Sequence, residues 1–482
     1  MINQKKAWEI LERKYYAIQI KLASPLCVSN GLDEYSDSDV LRNGSGELFV
    51  PGTSIAGAFR SYLLLEKDKS GMMGFSKEQD GEMSSVYVSD LYLNAEQASS
   101  YFQIGDVCSK KFEMLVSDDL PFGAPVTSIR DAVSLKDNRR VENKFDMEIV
   151  ETGAEGTLFL QYIKRNSREK EDFDGVFYKL LWAMHQGEIR FGSKKNRGFG
   201  RVEIKRVFEK SFIIEDAEKA KKAELRKNWL AFSEKDVAFY EEKKDWFKKA
   251  AAHSENTYIK VQVPLKLKGG ISVRKYSMEP NKADFEQLMC ADKPVIPGSS
   301  WNGVIRACAK ELLQELVSDK EAEHFMKCWF GEVDGKKAWQ SDVVIAESII
   351  YGGQDRIMTR NKISRFDSST QSGALYTEKT HYFGTTVLEF MVKKKPGYEA
   401  MLGLLQLVVE EICRGQVAVG GQTAVGRGIF TSYDDKNDAN MHSNGVVYRV
   451  EGFGAANWKD CKKALYNEIM DTNGEQVCSG TI

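Results

Sequence analysis

The sequence of 482 residues lacks the features that mark several large classes of protein. No stretch is long and apolar enough to predict a membrane-spanning helix, and the polar start of the chain predicts no secretory signal. The eight cysteines form no C-x-x-C pair and the histidines number only five, which argues against a zinc site. The formal net charge is −2, so a nucleic-acid site would have to be a local basic patch. We therefore expect a cytoplasmic protein of roughly two to four domains, at about 100–200 residues each.

What the sequence does contain is a segment that occurs twice. The first copy, Asp37 to Arg60, reads DSDVLRNGSGELFVPGTSIAGAFR, and the second contains VIPGSSWNGVIR. Five residues return at one constant offset: Pro51, Gly52, Ser54, Gly57 and Arg60 correspond to Pro297, Gly298, Ser300, Gly303 and Arg306. Each copy predicts a helix that begins at the proline, where unpaired backbone N–H groups can bind an anion. The repetition indicates an internal duplication.

A second motif repeats towards the end of each half. From Gly156, which matches Gly384, the two copies align without a gap through an amphipathic helix and into a glycine-rich loop. In that loop Gly192, Gly198 and Gly200 match Gly420, Gly426 and Gly428. The offset between the copies is smaller here than at the first motif, so the first copy carries additional residues between Gly52 and Gly156. Alternating apolar residues predict one strand before the first motif of each half, around Tyr16 to Leu22 and Ile259 to Leu267.

The repeats also define the expected domains. We expect a first domain at 14–210, a helical linker at 211–255, a second domain at 256–433 and a small α/β appendage at 434–482. The linker region is rich in Lys, Glu and Ala, which is typical of a helix. Between the two motifs, each half contains charged turns that we interpret as a projecting lobe. The basic residues of these lobes are Arg130, Arg139 and Arg140 in the first half and Arg360, Lys362 and Arg365 in the second.

Together, the helix start PG[ST]S-x-x-G-x-x-R and the late loop Gly-x-x-x-x-x-Gly-x-Gly resemble the RAMP superfamily of CRISPR effector proteins. The presence of two copies in one chain is similar to the tandem-fused backbone subunits of subtype III-D. This resemblance implies an α+β fold, with two tandem modified ferredoxin-like (RRM-like) RAMP domains that carry projecting thumb-like insertions. The strand, helix and strand pattern of each half agrees with that fold.

The resemblance also implies a function, that of an RNA-guided endonuclease. A backbone subunit of a type III complex binds guide (CRISPR) RNA and cleaves the complementary target RNA through the target's own 2′-hydroxyl, with a divalent metal. The expected cofactor is therefore Mg²⁺ or another divalent metal. The expected partners are guide RNA, target RNA and other subunits of the complex, without a membrane. Two alternatives stay open: a non-catalytic RNA-binding scaffold of the same complex, and a guide-RNA processing ribonuclease.

Two aspartates are the candidates for catalysis and for metal binding. Asp37 lies in the segment that leads into Pro51, where the resemblance implies the family's target-cleaving aspartate. A carboxylate with an ordinary pKa of about 3.9 is a weak base, so we favour a role in holding metal or orienting the attacking hydroxyl. Asp284 is the counterpart in the second half, in a context that departs from the family's pattern. Asp39 is the alternative to Asp37, and Asp292 is the alternative to Asp284. Whether the second half cleaves target RNA or only binds RNA stays open.

The glycine-rich loops carry most of the expected RNA contacts. The first, SKKNRGFGRVEIKR, combines backbone N–H groups with six cations, whereas the second, GGQTAVGRGIF, retains a single arginine. The arginine at the end of each helix motif either contacts phosphate or ties the helix to its own loop. The expected RNA-binding residues are Arg60, Lys194, Lys195, Arg197, Gly198, Gly200 and Arg201 in the first half, and Arg306, Gly420, Gly426, Arg427 and Gly428 in the second.

Overall fold

The computed structural model describes residues 9–29, 38–65, 72–77, 80–94, 127–135, 141–166, 172–214, 219–253, 256–276, 283–290, 293–334, 337–437 and 439–470. The chain divides into two compact units, Met1–Lys195 with Phe199–Glu255, and Asn196–Gly198 with Asn256–Ile482. The segment expected as a linker falls within the first unit, and the segment expected as an appendage falls within the second. Each unit has a hydrophobic core of its own.

The first unit contains eleven described strands and four described helices. In chain order these are β1 (Ile10–Leu22), β2 (Phe49–Val50), α1 (Gly52–Leu65), β3 (Phe75–Lys77), β4 (Asp80–Glu82), β5 (Val86–Val88), β6 (Leu91–Asn94), β7 (Thr127–Leu135), β8 (Val141–Val150), β9 (Glu155–Arg165), α2 (Phe173–Gln186), β10 (Val202–Ile213), α3 (Lys219–Ala231), β11 (Glu241–Glu242) and α4 (Trp246–Ala252).

The main sheet of the first unit is antiparallel and is built around β1. Its strand order is β11-β10-β1-β9-β6-β2, and β5 also pairs with β9. The predicted alternation along β1 is confirmed, because Tyr16, Ile18 and Ile20 are at most 1% exposed in the core. On the opposite face, however, Tyr15 and Ala17 are buried as well. The Trp229 indole N–H donates to the Tyr15 hydroxyl at 2.7 Å, so the segment after β10 covers that end of the sheet.

Helix α2 packs against this sheet with the apolar face that the sequence predicts. Val176, Phe177, Leu180, Leu181 and Met184 are all buried. The helix begins at Asp172, whose side chain accepts a hydrogen bond from the Gly175 N–H at 3.0 Å, and an N-cap of this kind stabilises a helix by about 1 kcal/mol. It ends at Gly187, which adopts φ of 80°, a conformation that glycine allows without strain.

The second unit repeats the plan with sixteen described strands and four described helices. In chain order these are β12 (Tyr258–Lys268), β13 (Gly270–Ile271), β14 (Arg274–Tyr276), β15 (Phe285–Gln287), β16 (Met289–Cys290), β17 (Lys293–Ile296), α5 (Gly298–Leu316), α6 (Asp319–Phe330), β18 (Glu332–Asp334), β19 (Lys337–Trp339), β20 (Val343–Ile345), β21 (Ser348–Ile349), β22 (Gln354–Arg360), β23 (Tyr376–Tyr382), β24 (Thr385–Lys393), α7 (Tyr398–Arg414), β25 (Ile429–Ser432), β26 (Met441–Ser443), β27 (Val446–Glu451) and α8 (Ala455–Met470).

The main sheet of the second unit is built around β12 in the same way. Its order is β20-β24-β12-β27-β26, and β25 also pairs with β12. The helix predicted after β24 is confirmed as α7, and it ends at Gly415 with φ of 79°. The C-terminal helix α8 packs on α7, where the Gln406 side-chain amide donates to the Trp458 carbonyl at 2.7 Å. Trp458 and Tyr448 belong to the core, so the C-terminal segment is an integral part of this unit.

Each unit also carries an antiparallel hairpin between its two repeated motifs. In the first unit β7 pairs with β8, and in the second β22 pairs with β23, which in turn pairs in parallel with β15. These hairpins occupy the positions where the sequence predicts lobes. No helix in the described ranges has the length and apolar character needed to span a membrane.

The contact between α7 and α8 generates a prediction about two helical glycines. A Cβ at Gly403 would lie 2.3 Å from the Cys461 carbonyl oxygen, whereas nothing lies within 4 Å of a Cβ at Gly303 in α5. Gly403→Ala should therefore lower the free energy of unfolding of the second unit by about 1–3 kcal/mol. Gly303→Ala is the matched control and should raise it by up to about 1 kcal/mol, because alanine favours a helix. Urea unfolding followed by tryptophan fluorescence measures both, and equal effects of the two changes would contradict the packing argument.

Candidate nucleic-acid interface

The glycine-rich loop has the same backbone conformation in both units. Lys194 and Gln422, which occupy matched positions of the two copies, have φ of 55° and 58°, although neither is glycine. Gly198 and Gly426 follow with φ of 85° and 80°. Left-handed conformations at matched positions mean that the duplication preserved the path of the loop, even where the side chains changed.

The last glycine of each loop is required by a close approach of the backbone. Gly200 and Gly428 have φ of 76° and 72°, and a Cβ on either would lie 1.9 Å from a backbone carbonyl oxygen. Their N–H groups donate at 2.8 Å to the segment that follows the first strand, Gly200 to Pro25 and Gly428 to Gly270. These two N–H groups are therefore used within the protein, and packing alone explains why glycine occupies both positions.

Three cations of the first loop are directed towards protein. The Lys194 ammonium donates to the sulfur of Met147 at 2.7 Å and lies 5.1 Å from the ring centroid of Phe145. Burial lowers the pKa of Lys195, since the charged ammonium loses solvation. Arg201 is half-buried, and its side chain lies against Gly187, where a Cβ would come within 3.1 Å of it.

Two arginines in the motifs of the first copy, by contrast, are exposed. Arg197 lies in the loop and Arg60 lies on α1. Within the described ranges, no hydrogen bond or ion pair engages either guanidinium. Among the arginines of these motifs, a phosphate can reach Arg60 and Arg197 without breaking an existing contact.

The arginine retained in the second loop has a structural role. Arg427 is 3% exposed and donates to Glu378 at 2.7 Å and to Thr380 at 2.8 Å. Arg360 forms a further ion pair with Glu378 at 2.6 Å. Burial raises the pKa of Glu378, but the hydrogen bonds from Arg427 and Gln422 outweigh this effect and hold the pKa below its ordinary value. Arg427 is thus committed to a buried ion pair on β23, and a phosphate could not reach it without breaking that pair.

The Pro-Gly helix starts are explained by packing as well. A Cβ at Gly52 would lie 2.4 Å from the Val88 carbonyl oxygen, and one at Gly298 would lie 2.5 Å from that of Ile345. The N–H of Gly52 donates to the Asp90 carboxylate at 2.7 Å. The start of α1 therefore already holds a carboxylate of its own chain at the place where the sequence suggested an external anion.

The second glycine of each helix motif lies on an open surface. Gly57 and Gly303 are exposed, and nothing lies within 4 Å of a Cβ on either. The arginine that ends the second motif turns inward, since Arg306 donates to the carbonyls of Phe330 and Gly331 at 3.1 and 2.9 Å. Arg306 therefore ties α5 to the end of α6.

The first unit has two candidate catalytic carboxylates, Asp37 and Asp39. Asp37 lies outside the described residues, which resume at Ser38. Its rival Asp39 is 4% exposed and makes polar contacts within the protein. A carboxylate buried to this degree cannot meet a strand of RNA, so the geometry disfavours Asp39.

The segment after Asp37 is anchored to the hairpin through one glutamate of β8. Glu148 accepts hydrogen bonds from the Val40 N–H at 3.0 Å and from both terminal nitrogens of Arg42 at 2.9 and 2.5 Å. Burial raises the pKa of Glu148, but the bonds from Arg42, Val40 and Thr127 outweigh it, so the pKa lies below its ordinary value. Sequence reasoning missed this pair, because its members are 106 residues apart and carry no shared motif.

The candidate catalytic carboxylate of the second unit, Asp284, is exposed to solvent but accepts a hydrogen bond from the protein backbone. Asp284 immediately precedes β15, and its carboxylate accepts a hydrogen bond from the Thr377 N–H at 2.7 Å. This bond fastens β15 to the start of β23, which gives Asp284 a structural role. Its rival Asp292 lies outside the described residues.

In the described part of the chain, no three His, Cys, Asp or Glu side chains come together as a metal-binding group. Mg²⁺ commonly takes one or two protein carboxylates and completes its shell with water and phosphate oxygens. Asp284 supplies one such carboxylate, with the oxygen not bonded to Thr377. A single carboxylate of this kind is therefore compatible with an Mg²⁺ ion that is held largely by RNA. Asp37 lies outside the described residues, so it is not included among these ligands.

The basic residues of the two hairpins fall into different environments. Arg130 forms a buried ion pair with Glu151 at 3.0 Å, which holds β7 to the chain beyond β8. Lys362 and Arg365 are exposed in the loop that follows β22. Arg139 and Arg140 lie outside the described residues.

Comparison with known families gives a clear result over most of the chain. The family model described as the RAMP superfamily matches residues 19–203 and 277–431. One match falls in each compact unit apart from a few residues of the first loop, as the internal duplication requires. None of the curated proteins compared with the chain matches it.

The Arg42–Glu148 ion pair predicts a pH-dependent contribution to stability. Glu148→Gln should lower the free energy of unfolding by about 0.5–1.5 kcal/mol at pH 7, a modest value because Arg42 is partly exposed to solvent. The pKa of Glu148 is lowered from 4.5, so the stabilisation is complete above that value and is lost as the pH falls through the folded-state pKa. The difference between wild type and variant should therefore shrink to zero in acid.

The matched control is Glu234→Gln, which changes an exposed glutamate of the same unit that has no ion pair in the described ranges. Urea unfolding curves collected across the acid range measure all three proteins. A wild-type advantage over Glu148→Gln that stays constant as the pH falls would rule out the ion pair as its source.

Proposed function

The chain belongs to the RAMP superfamily, which makes it a type III CRISPR-associated subunit, and from this premise we propose its activity. We propose that the protein is an RNA-guided endonuclease, a backbone subunit that binds guide RNA and cleaves complementary target RNA. The observation that carries the proposal is the duplicated loop, whose left-handed residues recur at matched positions in both units. Two equivalent loops suit two copies of one RNA-binding unit in a single chain, as the resemblance to the tandem-fused subunits of subtype III-D implies.

The strand order supports two ferredoxin-like domains. In the first unit the strands β10, β1, β9 and β5 are neighbours in this order, with α1 after β1 and α2 after β9. The second unit has β25, β12, β24 and β20 in the same order, with α5 after β12 and α7 after β24. An antiparallel sheet in which the first and third strands lie in the middle is the order of the split β-α-β arrangement. The hairpins β7–β8 and β22–β23 are our candidates for the thumb-like insertions.

RNA binding would rest on shape, backbone and local charge, because base pairing between the two RNAs supplies the sequence information. Arg60 and Arg197, in the two motifs of the first copy, are exposed and available to phosphates. Gly57 and Gly303 leave open helix surface that a sugar-phosphate backbone can approach closely. We therefore place the guide contacts on these residues, and we leave Arg306 and Arg427 out of the proposal.

We propose Asp37 as the catalytic carboxylate of the first unit, since burial disfavours Asp39. The target's 2′-oxygen would attack the adjacent phosphorus, and the bond from phosphorus to the 5′-oxygen would break, which leaves a cyclic phosphate and a 5′-hydroxyl. The 2′-hydroxyl proton passes to solvent, and the leaving oxygen takes a proton from solvent. A divalent metal, when bound, would stabilise the negative charge that develops on the phosphate. The residue's part is to orient the hydroxyl or to hold the ion.

A scaffold role is the second candidate for the other half, and one contact favours it. Because Asp284 already accepts the Thr377 N–H, its carboxylate contributes to the fold whether or not it acts on RNA. The second unit would then bind RNA without cutting it.

Substitution of the two aspartates in the assembled complex tests the proposal. Asp37→Ala should slow one cut in a labelled target by roughly a hundredfold or more while guide binding persists. Asp284→Asn keeps a hydrogen-bond acceptor for Thr377 but removes the charge, so a lost second cut would indicate catalysis rather than folding. Gel mapping of the cut positions is the measurement.

Asp460→Ala, which changes an exposed aspartate of α8, provides the control and should leave every cut in place. Cleavage that is unchanged by both Asp37→Ala and Asp284→Asn would reduce the protein to a scaffold. Failure of the wild-type chain to bind guide RNA would remove the proposed function altogether.

A further inference from the structure

Helix α3 has a composition unlike the rest of the chain. Lys219–Ala231 reads KAKKAELRKNWLA and carries five Lys or Arg residues against one Glu, in a protein whose net charge is −2. A helix of this kind is a local positive surface rather than part of a general basic field.

The helix is also exposed on nearly all of its surface. Among its described side chains only Leu225 and Trp229 are even partly buried, and the others are exposed. In the described ranges, none of the exposed cations Lys221, Arg226 and Lys227 has an ion pair. These cations are therefore open to an anionic ligand.

The position of the helix is nevertheless fixed by aromatic contacts. The Trp229 indole donates to the Tyr15 hydroxyl at 2.7 Å, and the guanidinium of Arg13 lies 4.8 Å from the Trp229 ring centroid. Just after the helix, Phe232 packs against Tyr15 and Phe212 with ring centroids 4.8 and 5.5 Å apart. The contacts that hold the helix use its inner side and leave the charged side to solvent.

We propose that α3 is a second RNA-binding surface, on which Arg226 and Lys227 contact phosphates. This inference rests on the proposed function, because it assigns an additional site for the same class of ligand. An anchored helix whose exposed cations have no ion pair in the described ranges matches a polyanion, since binding releases counterions from the RNA. The site lies on the outer side of the segment that covers the sheet, and it is separate in sequence from both glycine-rich loops.

The test compares two double variants of the full chain. Arg226→Gln with Lys227→Gln removes two charges from α3. Lys459→Gln with Lys463→Gln is the matched control, because these two exposed lysines lie on helix α8 and have no ion pair within the described residues. The probe is a fluorescein-labelled single-stranded RNA without self-complementarity, and its fluorescence anisotropy is measured over a range of salt concentrations.

The α3 variant should bind about tenfold more weakly at low salt. The slope of log affinity against log salt should become shallower by about 1.4, which corresponds to two lost phosphate contacts on a single strand. The control should match wild type in affinity and in slope.

Three results would overturn the inference in ways that can be distinguished. If wild type binds RNA and the α3 variant binds with the same affinity and slope, then α3 is not an RNA site, and an acidic protein surface becomes the alternative partner. If the α8 control loses as much affinity as the α3 variant, the effect is one of net charge. If wild type does not bind RNA at all, the proposed function fails first. Circular dichroism checks that both variants are folded.

Discussion

The structure depends most on the backbone approach that Gly200 and Gly428 permit. In each unit the chain leaves a long helix, makes a left-handed turn and returns to the sheet beside the first strand. The carbonyl of the glycine accepts the N–H of Phe191 in the first unit and of Val419 in the second, each at 2.9 Å. Its N–H is bonded to the segment after that first strand, so the loop is fixed to both neighbours. Any side chain here would collide with a backbone oxygen, and a backbone atom has little freedom to move aside. Because the loop's shape comes from these bonds, its side chains were free to diverge between the two copies.

A second constraint is that each central strand needs partner strands on both of its edges. In the first unit β10 pairs with β1 from Glu12 to Leu22. In the second unit β25 pairs only with the end of β12, and β27 pairs with its beginning. The C-terminal segment thus completes the second sheet. Glu410 of α7 fastens this segment, because it accepts from Asn444 at 3.1 Å and pairs with Lys462 of α8.

The sequence was sufficient to predict those parts of the fold that depend on local pattern. The alternation of β12 and the buried faces of α2 and α7 are confirmed, because periodicity reports directly on which side chains meet the core. It failed at Ala17, where a later segment of the chain covers the face of β1 that alternation assigns to solvent. The aromatic residues of that later segment, such as Trp229 and Phe232, indicate that it packs on another part of the protein, but the sequence does not show which strand face it covers.

The sequence predicted where the backbone of the candidate site lies, but it did not predict which of the site's charged side chains are free to bind a ligand. The repeats located the loops and the helix starts correctly, because glycine at fixed spacing reflects backbone geometry. Arginine in a motif is ambiguous, since the same side chain can bind phosphate or satisfy a buried carboxylate. Arg427 meets Glu378, a partner 49 residues away in the chain that no motif announced. Whether a cation is free for a ligand is therefore decided by contacts that only the structure supplies.

The two copies consequently share a backbone and differ in electrostatics. The arginine that closes the helix motif is exposed in the first unit as Arg60, while its counterpart Arg306 is bonded to two carbonyls. The loop shows the same asymmetry, with an exposed Arg197 in the first copy and a buried Arg427 in the second. Charge that is paired inside a protein contributes little to attraction at a distance, whereas exposed charge attracts a polyanion and makes its binding sensitive to salt. We infer that, among the residues of the two repeated motifs, those of the first copy would supply most of the salt-dependent affinity. In the second unit, this affinity would rest on cations outside the motifs, such as the exposed Lys362 and Arg365.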